Sequence, residues 1–267
     1  MPLPYLVTPG KKFKLSKVDP SDSGKFKNKE AAEPAIEENL RQLDELQEVL
    51  YAQGKHSVLI VLQALDAAGK DGAIDHIFSG INPQGCQVTS FKVPTSHELA
   101  RDYLWRYHEA VPPRGMIGIF NRSHYEAVLV ERVKNIAPPD VVRKRYEHIN
   151  AWEKMLADEG ATIIKFYLHI SKEEQRERLQ ARLDDPHKNW KFEPGDLDTR
   201  KLWDEYHEAY QDAICNCSTS YAPWYVIPAD RKWFRNWAIS EIIVRTLKDL
   251  KLEIPRPKVD VSQYRVL

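Results

Sequence analysis

The sequence predicts an α/β protein in which parallel strands alternate with helices that cover both faces of a single sheet. Three observations carry that expectation. Val58–Leu62 is a short β-branched apolar run of the kind shown by a strand buried on both faces, and similar runs recur at Gly115–Phe120 and Ala161–Ile170. Between these runs, apolar residues return every three to four positions, the period of helices with one buried face. At 267 residues the chain holds one large α/β domain, with little room for a second core.

Composition excludes several classes. Lysine plus arginine equals aspartate plus glutamate, 39 of each, so no global charge draws the chain to nucleic acid or membrane, and any polyanion site must be a local cluster. Three cysteines are few and odd in number, which points to a reducing compartment. Cys215 and Cys217 form a lone CxC with no second pair to complete a zinc site, and read as packing residues. No apolar run approaches the ~18 residues that span a bilayer, and the N-terminus lacks the apolar core of a signal peptide. The expectation is a soluble, cytoplasmic protein.

Taken in order, residues 1–33 form a basic arm with Lys11, Lys12, Lys14, Lys17, Lys25, Lys27 and Lys29. It reads either as a solvated arm or as a segment that folds over an anionic ligand, with Lys29 among the anion contacts. Pro34 opens a helix at the position proline tolerates best. Ile36, Leu40, Leu43, Leu46 and Leu50 line its buried face, and Gln53-Gly54-Lys55 ends it.

The first strand then runs into Leu65-Asp66-Ala67-Ala68-Gly69-Lys70-Asp71, followed by helical spacing at Ile74, Ile77, Phe78 and Ile81. Strand, small-residue loop, lysine and helix is the plan of a phosphate-binding loop, in which backbone N–H groups and a helix N-terminus surround an anion. Against GxxxxGK[ST], Ala64 replaces the first glycine and Asp71 the metal-holding Ser/Thr. The competing reading is an ordinary strand–turn–helix corner with Gly69 at positive φ and Lys70 in solvent. Asp66 bears on the choice, because a carboxylate about 4 Å from a phosphate repels it by roughly 4 kcal/mol at an effective dielectric near 20. A divalent cation between the two reverses that sign. Asp66 is therefore a turn former or a metal-linked catalytic group.

Asn82-Pro83-Gln84-Gly85 is a turn before a second strand, Cys86–Phe91. Thr95 with Glu98 makes a capping box for a helix carrying Leu99, Tyr103, Tyr107 and Ala110, which Pro112-Pro113 stops. The third strand, Gly115–Phe120, runs into Asn121-Arg122-Ser123-His124-Tyr125-Glu126, at the strand end where α/β sheets bind ligands. Arg122 faces the same crevice as Lys70 or pairs with Glu126 four residues on, and both can hold. Residues 140–158 are a helix, and Ala161–Ile170 a fourth strand. Ser171 with Glu174 is a second capping box, opening a helix with Leu179 and Leu183 on one face and Arg178 and Arg182 on another. The polar stretch 184–191 follows, and arginines leading into such a loop are how small kinases build a lid. A helix at Leu202, Tyr206, Ala209 and Tyr210, a last strand at Ala222–Pro228, a closing helix through Trp233, Trp237, Ile242 and Leu247, and an extended tail complete the chain.

Four ordered motifs, LDAAGKDG at 65–72, FNRSHYE at 120–126, NWKFEPGD at 189–196 and APWYVIPADRKWFRNW at 222–237, resemble the polyphosphate kinase 2 family over nearly the whole chain. The resemblance implies a P-loop kinase, thymidylate kinase-like three-layer α/β/α sandwich with a central parallel sheet and a helical lid. The domain would span 34–254, with the lid at about 171–200 and a tail at 255–267. It implies transfer of the terminal phosphoryl of inorganic polyphosphate to AMP or ADP, with Mg2+ (or Mn2+) as cofactor. Adenine nucleotides, and guanine nucleotides besides, are the acceptors, and a homo-oligomer is expected.

On this resemblance Asp66, Lys70 and Arg122 are catalytic, with Asp66 the metal ligand. Ala67, Ala68, Gly69, Lys70, Asp71, Arg122, Arg178, Arg182 and Lys29 bind phosphates; Asn121, Glu126 and Asp66 bind the nucleotide. Asp71 departs from the glycine frequent in relatives. His124 and Glu126 resemble a subclass acting on both mono- and diphosphates. An ATP-dependent nucleoside monophosphate kinase and a non-catalytic polyphosphate- or nucleotide-binding protein are the alternatives.

Overall fold

In the computed structural model, which describes residues 5–266, five strands form one parallel sheet in the order β2-β3-β1-β4-β5. They are β1 (Ser57–Ala64), β2 (Cys86–Ser90), β3 (Ile117–Asn121), β4 (Ala161–His169) and β5 (Trp224–Pro228). β1 is buried along its whole length, as expected of a central strand covered on both faces. Register pairs Leu62 with Asn121 on one side and with Phe166 on the other. The carboxyl ends of β1, β3 and β4 therefore lie side by side.

The helices are α1 (Lys29–Gln53), α2 (Lys70–Phe78), α3 (Ser96–Leu99), α4 (Trp105–His108), α5 (Val130–Val133), α6 (Pro139–Asp158), α7 (Lys172–Asp184), α8 (Pro194–Lys201), α9 (Trp203–Cys217) and α10 (Lys232–Asp249). α1, α2 and α10 pack together on one side of the sheet, and α5, α6 and α9 on the other. This is the three-layer α/β/α sandwich expected. One apolar core joins both layers, from Leu43 and Leu50 of α1 through the strands to Ile149 of α6 and Ile214 of α9.

Several local expectations change. α1 begins at Lys29, not at Pro34, because the Asn28 side chain caps it by accepting from the Ala31 N–H at 3.0 Å. Pro34 falls inside the helix on an exposed face. The Thr95–Glu98 capping box forms, but the helix it opens stops after one turn. Asp102 caps the Leu104 N–H at 3.0 Å and starts a separate turn. Leu183 is exposed rather than buried beside Leu179.

The basic arm, as far as it is described, is anchored by a few apolar residues while its lysines, Lys11, Lys12, Lys14, Lys17, Lys25, Lys27 and Lys29, are exposed. Leu6 bridges Tyr225 antiparallel, Val7 N–H donates to the Trp224 carbonyl at 2.9 Å, and Val7 and Leu15 are buried. Residues 5–7 thus cover the edge of β5 that would otherwise present unpaired backbone groups.

Candidate active site

β1 ends at Ala64, and residues 65–69 turn the chain into α2. Ala67 at φ 62° and Gly69 at φ 100° are both left-handed. At this φ any side chain on residue 69 would be strained, and a Cβ would also displace the Arg235 guanidinium. Each carbonyl of this stretch is held by a donor of the protein. Lys70 Nζ donates to Ala64 at 3.0 Å and Ala68 N–H to Leu65 at 3.3 Å. Gln175 Nε2 donates to Asp66 at 3.0 Å, Arg178 Nη1 to Ala67 at 3.2 Å and to Ala68 at 3.0 Å, and Ala73 N–H to Gly69 at 3.0 Å. The N–H groups of Gly69, Lys70, Asp71 and Gly72 meet no protein acceptor among the described residues. Carbonyls tied back and N–H groups left free at a helix N-terminus are what an anion requires. Despite its two departures from the consensus, the loop has the geometry of a phosphate loop.

Beside it, the end of β3 supplies Arg122, also left-handed at φ 63°. That conformation is uncommon for a side-chain-bearing residue and persists where the surroundings enforce it. Arg122 N–H donates to the Leu62 carbonyl at 3.1 Å, Ser123 takes a bond from Gln63 Nε2 at 3.1 Å, and the next residues are locked into the core. The guanidinium lies between two carboxylates, with Nη2 donating to Asp66 Oδ1 at 3.0 Å and Nη1 to Glu126 Oε2 at 3.4 Å. Burial alone would lower the Arg122 pKa, but Glu126 and Asp66 outweigh it and raise it. The Lys70 ammonium is pushed down to about 8, chiefly by burial and then by Arg122, with Asp66 opposing.

Two of the expected contacts are to each other. Asn121 Nδ2 donates to Asp71 Oδ1 at 2.6 Å, so the residue read as a nucleotide contact and the one read as a phosphate contact form a latch between β3 and α2. Asp71 also stands in the first turn of α2, where a carboxylate is stabilised by the helix dipole. Arg182 Nη1 donates to Asp196 Oδ2 at 3.0 Å and to the Lys191 carbonyl at 3.1 Å, tying α7 to the segment 189–196. Lys29 is not brought to the loop: it opens α1 as an exposed side chain, and among the described residues no hydrogen bond or ion pair links it to the site.

Sequence reading missed three groups. Asp196, at the start of α8, is buried, and its pKa is raised by burial and then by the charge of Asp66. Carboxylate oxygens of this kind are donors for a hard cation. Arg235 is almost wholly buried against the loop, with its pKa lowered to about 10 by burial and by Arg178. Lys232, lowered by burial and then by Arg178 and Arg235, stands with them. Glu174 pairs with Arg178 at 2.7 Å, while no carboxylate pairs with the buried Arg235 guanidinium among the described residues, which suits it to an anion. The signal was present, since all three lie in the segments 189–196 and 222–237.

Residues 26–255 match the family described as Polyphosphate kinase 2. The chain is 58% identical over 255 residues to the AMP/ADP-polyphosphate phosphotransferase of Meiothermus ruber, covering 95% of this chain and 96% of that protein. It is 43% identical over 271 residues to the ADP-polyphosphate phosphotransferase of Rhodopseudomonas palustris, covering 94% and 91% of the two. The crystal structure of Polyphosphate Kinase 2 from Arthrobacter aurescens TC1 superposes with a TM-score of 0.93 at 41% identity, covering 97% of this chain and 93% of that one.

Proposed function

The chain belongs to the polyphosphate kinase 2 family, and on that premise we propose how it transfers the terminal phosphoryl group of inorganic polyphosphate to AMP and ADP. The observation that carries the reading is the loop at 64–72, whose carbonyls are tied back and whose N–H groups at Gly69–Gly72 are free, flanked by Lys70, Arg122 and Asp66. The free N–H groups hold donor phosphates. Lys70 adds a point charge, and Arg122 spreads its guanidinium over the phosphoryl oxygens as charge develops on them.

Arg122 is pre-set for this by its bonds to Asp66 and Glu126, so little reorganisation accompanies the reaction. An acceptor phosphate oxygen forms the new P–O bond as the terminal P–O–P bond of the donor breaks. One phosphoanhydride replaces another, so the transfer runs in both directions under mass action.

Asp66 and Asp196 would hold a magnesium ion as hard carboxylate oxygen donors, Asp196 feeling the negative charge of Asp66. When bound it supplies charge neutralisation between phosphate groups. Arg182, bonded to Asp196 Oδ2, holds that carboxylate in place from the lid.

The test is ATP formation from ADP, and ADP formation from AMP, with long-chain polyphosphate and Mg2+. Product with polyphosphate as the sole donor is expected. Phosphorylation of AMP by ATP alone would make the chain a nucleoside monophosphate kinase. Salt-sensitive polyphosphate binding without product under any metal condition would make it a binding protein.

A further inference from the structure

We propose that Arg178 is a positioning residue, which holds the phosphate loop in its anion-binding shape and makes no contact with phosphate. Arginine has five N–H donors and no acceptor, and at Arg178 all five are used by the protein. Nε donates to Glu174 Oε1 at 2.7 Å. Nη1 donates to the carbonyls of Ala67 at 3.2 Å and Ala68 at 3.0 Å. Nη2 donates to those of Ala229 at 2.7 Å and Asp230 at 2.8 Å. Its side chain is only 10% exposed. A guanidinium with no donor left cannot clasp a phosphate without giving up bonds that hold the loop.

What those bonds hold is specific. Ala67 is left-handed at φ 62°, a conformation that glycine adopts freely and alanine does not. Phosphate loops of the usual composition obtain that freedom from glycine; here the side chain of Arg178 enforces it from outside. Pinning the carbonyls of Ala67 and Ala68 toward α7 and the end of β5 turns the following N–H groups the other way, toward the anion. Neighbouring Arg182 differs, because only its Nη1 is engaged among the described residues. The two arginines, four residues apart on one helix, thus divide the work between shaping the loop and serving the lid.

The inference rests on reading 64–72 as the donor's phosphate loop, and its test includes a measurement made without any substrate. In R178K the charge stays while the forked geometry goes. We expect kcat to fall at least about tenfold, and the amide resonances of Ala67, Ala68 and Gly69 in isotopically labelled, substrate-free protein to move. In the double variant R178K/A67G, kcat should recover at least about fivefold, the low end of what a left-handed alanine costs relative to glycine. Should R178K not fold, R178Q, which keeps an amide donor against the same carbonyls, carries the same comparison.

Wild-type resonances in substrate-free R178K, with a raised KM for polyphosphate that A67G leaves uncorrected, would make Arg178 a phosphate ligand and overturn the proposal. Moved resonances in a protein that forms no product from polyphosphate would refute the donor assignment while sustaining the loop-shaping role.

Discussion

Glu153→Gln removes one charge and almost no volume, and its consequences follow from the burial of its partner. Lys165 of β4 and Glu153 of α6 are both wholly inaccessible to solvent. The Lys165 ammonium donates three bonds, to Glu153 Oε2 at 2.5 Å, to Tyr125 Oη at 2.8 Å and to the Cys217 carbonyl at 2.7 Å. Glu153 Oε1 also accepts from Tyr125 Oη at 2.9 Å and lies 3.1 Å from His124 Nε2. Burial pushes the Glu153 carboxyl up, but Lys165 and His124 outweigh it and hold the group below its ordinary value; burial lowers Lys165 with Glu153 opposing, and its three donated bonds are those of an ammonium.

With glutamine at 153 the ammonium loses its counter-charge in a site inaccessible to solvent. Removing one partner of a buried pair costs about 3–5 kcal/mol. For a domain of this size that lowers Tm by about 6–20 °C.

The effect reaches the site, because Tyr125 and His124 lie in the turn between Arg122 and Glu126. Loosening that turn releases the strained Arg122 backbone, and kcat should fall with stability. Urea and thermal unfolding measure the first effect, and turnover at a temperature where the variant is fully folded measures the second. The paired replacement Glu153→Met/Lys165→Met should recover most of the lost stability, since an apolar pair carries no stranded charge. A loss below about 1 kcal/mol for Glu153→Gln, or a double variant as unstable as the single, would refute the reasoning.

Three further outcomes are expected. Asp66→Asn should retain nucleotide binding by calorimetry but lose on the order of 10²–10³-fold in kcat; near-normal turnover would remove Asp66 from the mechanism. With the Lys70 ammonium pushed down to about 8 by burial and then by Arg122, the proposed phosphate contact of its charged form predicts that kcat/KM for polyphosphate holds below that pH and falls as pH rises through it. Lys70→Arg should abolish that alkaline limb even where its maximal rate is lower, and a limb that stays in place assigns it to another group. Asp196→Asn should raise the Mg2+ concentration needed for half-maximal rate on the order of tenfold, and an unchanged requirement would separate Asp196 from the cation.

Much of the site was legible because its parts sit at strand ends. Asp66, Lys70 and Arg122 follow apolar runs too β-branched to be anything but buried strands. A parallel sheet delivers the residues after such runs to one edge. The extent of each run was readable within a residue or two, because burial on both faces leaves an unbroken apolar string. The partners were not legible. Asp71 could be counted as a departure from a pattern, yet its reason lies in Asn121, fifty positions along the chain. Arg178 and Arg182 share a helix face in the sequence, and nothing there distinguishes a guanidinium saturated by backbone carbonyls from one with donors to spare.

The sequence alone therefore determined the class of fold, the place of the phosphate loop and the chemistry of its charged residues, since these depend on local period, residue type and order along the chain. Tertiary structure decided which of those charges face each other. The strand order brings β3 against one side of β1 and β4, followed by β5, against the other, and so sets Arg122 on one flank of the loop and Arg178, Lys232 and Arg235 on the other. It also ties Asp196 to Arg182 of α7 and lays residues 5–7 along the edge of β5. Hydrogen bonds and charge pairs act over a few ångströms in space, and separation along the chain does not encode which groups come that close.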